Sequence, residues 1–80
     1  MIAYPNPAGD LVSISFMMKD GGDYVISLED MIGRTIWERE DHAVPGPNSQ
    51  WIDLEGIAHG VYMIILHNGN YILKSKLVVE

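Results

Sequence analysis

Residues Gly60–Glu80 read GVYMIILHNGNYILKSKLVVE, two largely apolar runs joined at Asn68-Gly69. An Asn-Gly pair favours the positive φ angles of a tight turn, and between apolar runs it is a strong signal for a β-hairpin. A two-residue loop at Asn68-Gly69 places His67 opposite Asn70 and sets the register of every later pair. The sequence therefore predicts a closing hairpin whose strands form part of the core.

The two faces of this hairpin differ in character. The face expected to be buried is apolar on both strands, and it consists of Tyr62, Ile64, Leu66, Tyr71, Leu73, Leu77 and Val79. The opposite face is apolar at Val61, Met63 and Ile65 but carries Lys74 and Lys76 on the second strand. Either the lysine stems cover these apolar side chains, or the outer patch docks onto a partner or a preceding domain.

Short strands separated by turn signals are predicted for the rest of the chain. After an apolar lead-in at Ile2–Tyr4, they cover Leu11–Met17, Tyr24–Asp30, Thr35–Arg39 and Gln50–Leu54. The longest predicted loop is Glu40–Ser49, which contains Pro45-Gly46-Pro47. About seven short strands without a helix-period segment are typical of an all-β, immunoglobulin-like antiparallel β-sandwich.

Two tryptophans are predicted to lie outside the core. If Ile36 and Ile52 face inward, Trp37 and Trp51 face outward and join the possible docking patch. Coplanar, exposed indoles stack on sugar rings, so an accessory carbohydrate-binding or adhesive sandwich of a secreted enzyme is an alternative interpretation. A structural spacer or dimerisation module that pairs through a strand edge is a third.

Composition limits the classes of function. Eighty residues form one small domain, without cysteine and with a net charge of −6. Five Lys and Arg residues form no basic patch, which argues against a nucleic-acid partner. The longest apolar run is too short for a transmembrane segment, and the first residues lack the pattern of a signal peptide, so any export signal of that kind is expected outside this stretch.

No arrangement of residues points to catalysis or to a cofactor. His42, His59 and His67 lack metal-ligand spacing, and the carboxylates of Asp20–Asp23 fit a plain turn better than a calcium loop. Nucleophile and phosphate-binding motifs are missing from the sequence. We therefore expect a domain that is not an enzyme and that requires no metal or cofactor.

Three turn signals stand out. YPNPAGD at Tyr4–Asp10 predicts a rigid, kinked loop, and Asp30–Arg34 predicts a tight turn in which Gly33 adopts a positive φ. Gly60-Val61-Tyr62 follows a short connection and is typical of a tyrosine corner, in which a buried phenol bonds to the backbone a few residues upstream.

Four stretches in this order, YPNPAGD, LEDMIGR, LEGIAHGVYMIIL and KLVVE, resemble the type A C-terminal sorting domain of the type IX (Por) secretion system of Bacteroidetes. In that family a Y-P-N-P turn opens the domain, D-x-x-G-[RK] and L-x-x-G-x-Y follow, and a K-[LV]-[VI]-[VI] strand closes it. The Ile57–His59 insertion before Gly60 is a small departure. The resemblance covers essentially the whole chain.

The resemblance implies a secretion signal: residues 1–80 are one C-terminal sorting domain, the tail of a larger exported precursor. Its implied partners are the outer-membrane translocon, shuttle proteins, a sortase-like protease and an N-terminal passenger. It further implies that the passenger passes through the periplasm to the cell surface or the medium, and that cleavage falls upstream of Tyr4. The residues expected to be recognised are Tyr4, Pro5, Asn6, Pro7, Gly9, Asp10, Lys76, Leu77, Val78, Val79 and Glu80. Those expected to support the structure are Gly33, Arg34, Gly60, Tyr62, Asn68 and Gly69. We expect recognition to use the exposed backbone edge and the outward side chains of the closing hairpin.

Overall fold

The computed structural model describes residues 1–69 and 72–80. It contains seven strands: β1 (Ile2–Tyr4), β2 (Leu11–Met18), β3 (Gly22–Glu29), β4 (Thr35–Ala43), β5 (Gly46–Asp53), β6 (Gly60–His67) and β7 (Ile72–Val79). These form two antiparallel sheets, ordered β1-β2-β5 and β4-β3-β6-β7. The predicted β-sandwich is confirmed, and this order matches the A-B-E and C′-C-F-G sheets of immunoglobulin-like domains. No helix that could cross a membrane occurs in the described ranges.

The core lies between the two sheets, where alternate residues of each strand meet. Residues 12, 14, 16 and 18 of β2 are buried, as are residues 24, 26 and 28 of β3. The predicted core face of the hairpin is confirmed at Tyr62, Ile64, Leu66, Leu77 and Val79, with Leu73 packed against the cluster. Tyr71 lies outside the described residues.

The predicted register of the closing hairpin was wrong by two residues. His67 pairs with Ile72, not with Asn70, so the connection takes four residues rather than the two of Asn68-Gly69. Gly69 does adopt a positive φ, of 91°. A shift of two preserves the face of every side chain, because strand faces alternate with period two, and the core prediction survives for this reason.

The predicted long loop between β4 and β5 was also wrong. Both strands extend into it, and only Val44 and Pro45 remain between Ala43 and Gly46. The Asn48 side chain shapes this tight turn by accepting from Val44 N and donating to the carbonyls of Val44 and Gly46. Pro47 is tolerated inside β5 because β5 is an edge strand, where a missing N–H leaves no gap in the sheet.

The predicted orientation of Ile36 and Trp37 is reversed. Leu28 pairs with Trp37 and Glu29 with Thr35, so Ile36 is the extra residue of a β-bulge and is 43% exposed. Trp37 therefore packs against the core. The Arg39 guanidinium lies 5.3 Å from its ring centroid and donates to Trp51 O on β5 at 3.3 Å, which ties the two sheets along that side.

Candidate functional site

The four motif segments, residues 4–10, 28–34, 54–66 and 76–80, are distant in sequence but meet at one end of the sandwich. We call this end the motif end. Gly60 at the start of β6 pairs with Val79 at the end of β7, and Met63 pairs with Glu29 at the end of β3. The turn after β3 and the connection before β6 therefore lie beside the end of the last strand. In the other sheet, Leu54 donates its backbone N–H to Asp10 O at 2.7 Å and closes the same end.

The Tyr4–Asp10 turn is bonded to the last strand through Asn6 and Ala8. The Asn6 amide nitrogen donates to Lys76 O at 2.9 Å, and its Oδ1 accepts from Val78 N at 3.0 Å. Two residues later, Ala8 N donates to Val78 O and Glu80 N donates to Ala8 O, both at 2.8 Å. The Asn6 side-chain amide thus bonds to β7 as the peptide group of a neighbouring strand would. Ala8 then pairs with Val79 in a parallel β-bridge.

These bonds contradict the expected open backbone edge at the end of the chain. Along Lys76–Glu80, the carbonyls of residues 76 and 78 and the N–H groups of residues 78 and 80 all have partners in the turn. An incoming strand therefore cannot pair there without displacing Asn6 and Ala8. Side chains and the turn itself, rather than this backbone, are what this edge presents to solvent.

The predicted recognition residues divide by exposure. Leu77 and Val79 are in the core, so their side chains support the fold and are not displayed on the surface. Val78 is half-buried on the outer side of β7. The exposed members of the set are Tyr4, Pro5, Asn6, Pro7, Gly9, Asp10, Lys76 and Glu80.

The Asp30–Arg34 turn is organised by the Asp30 carboxylate. Its Oδ1 accepts from Ile32 N at 3.1 Å and from Arg34 N at 2.9 Å, while Oδ2 accepts from Arg34 Nε at 2.8 Å. The backbone N–H of Arg34 is the main reason why the pKa of Asp30 lies below its ordinary value. Gly33 has φ +87°, which confirms the expected positive φ.

The predicted tyrosine corner is confirmed. The Tyr62 hydroxyl donates to Ala58 O, four residues upstream, and its ring is buried. The connection between β5 and β6 contains a turn that is closed by Ile57 N donating to Leu54 O at 2.9 Å. Tyr62 therefore fixes the path by which the chain crosses from one sheet to the other.

A shallow cleft of about 390 Å³ separates the corner from the Asp30 turn. Its lining joins the polar pair Asp30 and Arg34 to apolar surface from Ile36, Ile57 and Tyr62. The Arg34 side chain is 74% exposed at this position. Polar and apolar groups are thus displayed side by side on the motif end.

The predicted outer patch is split between the two sheets. Val61, Met63 and Ile65 lie on the outer face of the four-stranded sheet, since the alternate residues of β6 are buried. Trp51 is 60% exposed, but it belongs to the other sheet. Trp37, which packs against the core, was wrongly assigned to the outer patch.

Two important residues were absent from the predicted set. Asp30 was passed over although an aspartate that opens a tight turn commonly bonds to backbone two residues on. Ala8 gave no signal, because it acts only through backbone groups.

Elsewhere, His42 Nδ1 lies 2.9 Å from Asp23 Oδ1. In the part of the chain that the structure describes, no three His, Asp or Glu side chains converge as metal ligands.

Comparison with known proteins identifies the family. A model of the secretion system C-terminal sorting domain matches residues 2–80. No curated protein matches the chain. The match includes every strand and all four segments gathered at the motif end. The chain therefore belongs to the C-terminal sorting domains of the type IX secretion system.

Proposed function

We propose that this domain is the tail of a longer exported protein and that its motif end is the surface read by the translocon and its shuttle proteins. The observation that carries the proposal is the bonding of Asn6 to Lys76 and Val78. It joins the opening turn and the closing strand into a single surface that exists only in the folded domain. A surface held in this way binds with little loss of conformational entropy.

The passenger precedes Met1 in this proposal, and a sortase-like protease cleaves upstream of Tyr4. Because β1 is only three residues long and forms a sheet edge, a linker that enters there is accessible to a protease. The passenger crosses the periplasm, and after cleavage it is released or joined to an anionic lipopolysaccharide at the cell surface. The domain itself acts through binding and performs no catalysis.

The experiment is a fusion of residues 1–80 to an exported fluorescent reporter, in a host with an intact type IX system and in one without it. We expect surface delivery only in the first host. Asn6→Ala removes both side-chain bonds at the motif end, and we expect it to retain the reporter in the periplasm.

Asn48→Ala is the matched control. Asn48 also bonds to backbone through its side chain, but it does so in the β4–β5 turn at the opposite end. Its loss should lower stability to a similar degree and leave delivery intact. Equal loss of delivery in two variants of equal stability would show that the system reads foldedness rather than the motif end.

Exposed side chains are tested by Lys76→Ala combined with Glu80→Ala. These substitutions spare the core, whereas deletion of residues 76–80 also removes Leu77 and Val79. A lower rate of delivery, with an unchanged melting temperature, is the expected result. Normal delivery would restrict recognition to the opening turn.

A second candidate function, glycan binding, is favoured by the outer face of the three-stranded sheet. Tyr4 pairs with Ser13, and Ser13 pairs with Trp51, so the two rings flank a serine in one row. They are 72% and 60% exposed. Aromatic faces beside hydroxyl groups suit sugar rings. If the domain binds a soluble oligosaccharide and Trp51→Ala abolishes that binding, this function is supported. If the domain binds no member of a broad glycan panel, this function is excluded.

A further inference from the structure

The outer face of the four-stranded sheet is divided by charge. Its β4 edge carries Glu38 and Glu40, and its β7 edge carries Lys74 and Lys76. Between the edges, the outward residues of β3 and β6 include the half-buried apolar side chains of Val25, Met63 and Ile65, with Glu29 paired to Met63 at one end. One edge of the face is thus acidic and the other basic, with apolar side chains among the residues between them.

The register aligns these zones in a single row. Glu38 pairs with Ser27, Ser27 with Ile65, and Ile65 with Lys74. Paired residues of neighbouring strands point to the same face of a sheet. Ser27 is small and only 9% exposed, so the row has a hollow at β3 beside the larger Ile65.

No ion pair within the described residues involves the charges of this row. In residues 1–69 and 72–80, the ion pairs of lysine and arginine involve Arg34 and Arg39, and neither Glu38 nor Lys74 takes part in one. The two charged edges are three strand spacings apart, about 14 Å, which is too far for direct contact. They are open to opposite charge from outside.

We propose that this face binds a second copy of the same chain, through a twofold axis that runs parallel to the strands between β3 and β6. The rotation puts β4 of each copy over β7 of the other and keeps the rows level. Glu38 then meets Lys74 of the second copy, and Ile65 meets the hollow at Ser27. An axis across the strands would instead oppose β4 to β4, with like charges in contact.

The size of the face sets the strength of the dimer. Four strands about 4.8 Å apart and eight residues about 3.4 Å apart cover roughly 500 Å² on each copy, at the low end for specific interfaces. The association is therefore weak, it is sensitive to salt, and it forms at high local concentration. This inference is independent of the proposed recognition at the motif end.

Sedimentation equilibrium of the isolated domain, up to about 1 mM and at low salt, tests the proposal. Glu38→Lys or Lys74→Glu alone should weaken self-association about tenfold or more. The double variant should restore it, because both contacts re-form with their signs exchanged. An equimolar mixture of the two single variants should associate more strongly than either variant alone.

Asp20→Lys and Lys19→Glu are controls of equal charge change in the β2–β3 turn, away from this face, and should leave association unchanged. Circular dichroism checks that each variant folds. A wild type that stays monomeric at the highest concentration overturns the proposal. A dimer whose association constant is unchanged by Glu38→Lys and by Lys74→Glu also overturns the proposal, since such a dimer would form through a strand edge instead.

Discussion

Val78 donates its backbone N–H to Oδ1 of Asn6 at 3.0 Å, across 72 positions of sequence. The same side chain donates to Lys76 O, so an asparagine in the first turn completes the edge of the last strand. The two bonds have a direct consequence for the dynamics of β7.

Amide hydrogen exchange along β7 should follow this pattern. Val78 and Glu80 donate to the turn and should exchange slowly, whereas the Lys74 N–H points to the same edge, beyond the turn, and should exchange quickly. Asn6→Ala should accelerate exchange at Val78 by about fivefold to tenfold, for a hydrogen bond worth about 1 kcal/mol. Unchanged protection at Val78, measured by NMR, would show that Ala8 alone holds the turn.

The Tyr62 hydroxyl should contribute measurably to stability. Tyr62→Phe leaves the ring buried but removes the bond to Ala58 O, and we expect it to lower the free energy of unfolding by about 1–2 kcal/mol. Urea unfolding monitored by circular dichroism measures the change. An unaltered midpoint would mean that the crossing between sheets is held by packing of Leu54 and Ile57.

Tyr24→Phe should behave in the opposite way. Within the described residues, the Tyr24 hydroxyl is buried without a hydrogen-bond partner of normal geometry, although Gln50 faces it, and burial raises its pKa above the ordinary value. Its ring packs edge-on against the Phe16 ring, with 5.3 Å between the two ring centroids, and a phenylalanine at position 24 keeps this contact. Removal of an unsatisfied hydroxyl should leave stability unchanged or raise it by up to about 1 kcal/mol. A loss as large as that of Tyr62→Phe would reveal a bond to Gln50 in solution.

Asp30 should give the domain a measurable dependence on acid. Since its pKa is lower in the folded state than in the unfolded chain, its stabilising effect is present at neutral pH. The effect declines once the pH falls below about 4, the unfolded value, and is lost as the pH passes through the folded pKa. Asp30→Asn should lower the melting temperature at pH 7 and flatten its decline toward acid. Asp20→Asn, in an exposed turn, is the control, and two parallel melting profiles for wild type and Asp30→Asn would contradict the prediction.

The sequence was sufficient to predict the faces of β2, β3 and β6, but not the face of β4 or the ends of the strands. Alternation in β2, β3 and β6 specified the core, because each buried face follows a period of two. The hairpin register depended on loop length, and Asn68-Gly69 is compatible with longer connections as well as with a two-residue loop. The bulge at Ile36 reversed Trp37 because one extra residue changes the phase of a strand.

Residues of the motif end were also predicted unevenly. The predictions for Tyr62 and Gly33 were correct because each depends on residues only a few positions away in the sequence. The bonds of Asn6 and Ala8 join positions about seventy residues apart and depend on sheet order, which no local pattern contains. The expected open edge failed for the same reason.

The parallel bridge between Ala8 and Val79 also determines when the domain can be completed. During translation, the Tyr4–Asp10 turn emerges among the first residues of the domain, but its partners are among the last. A nascent chain that stops a few residues short can form most of the other sheet pairings and still lacks this closure. The turn is therefore bonded in this way only in a folded domain that includes residues 76–80.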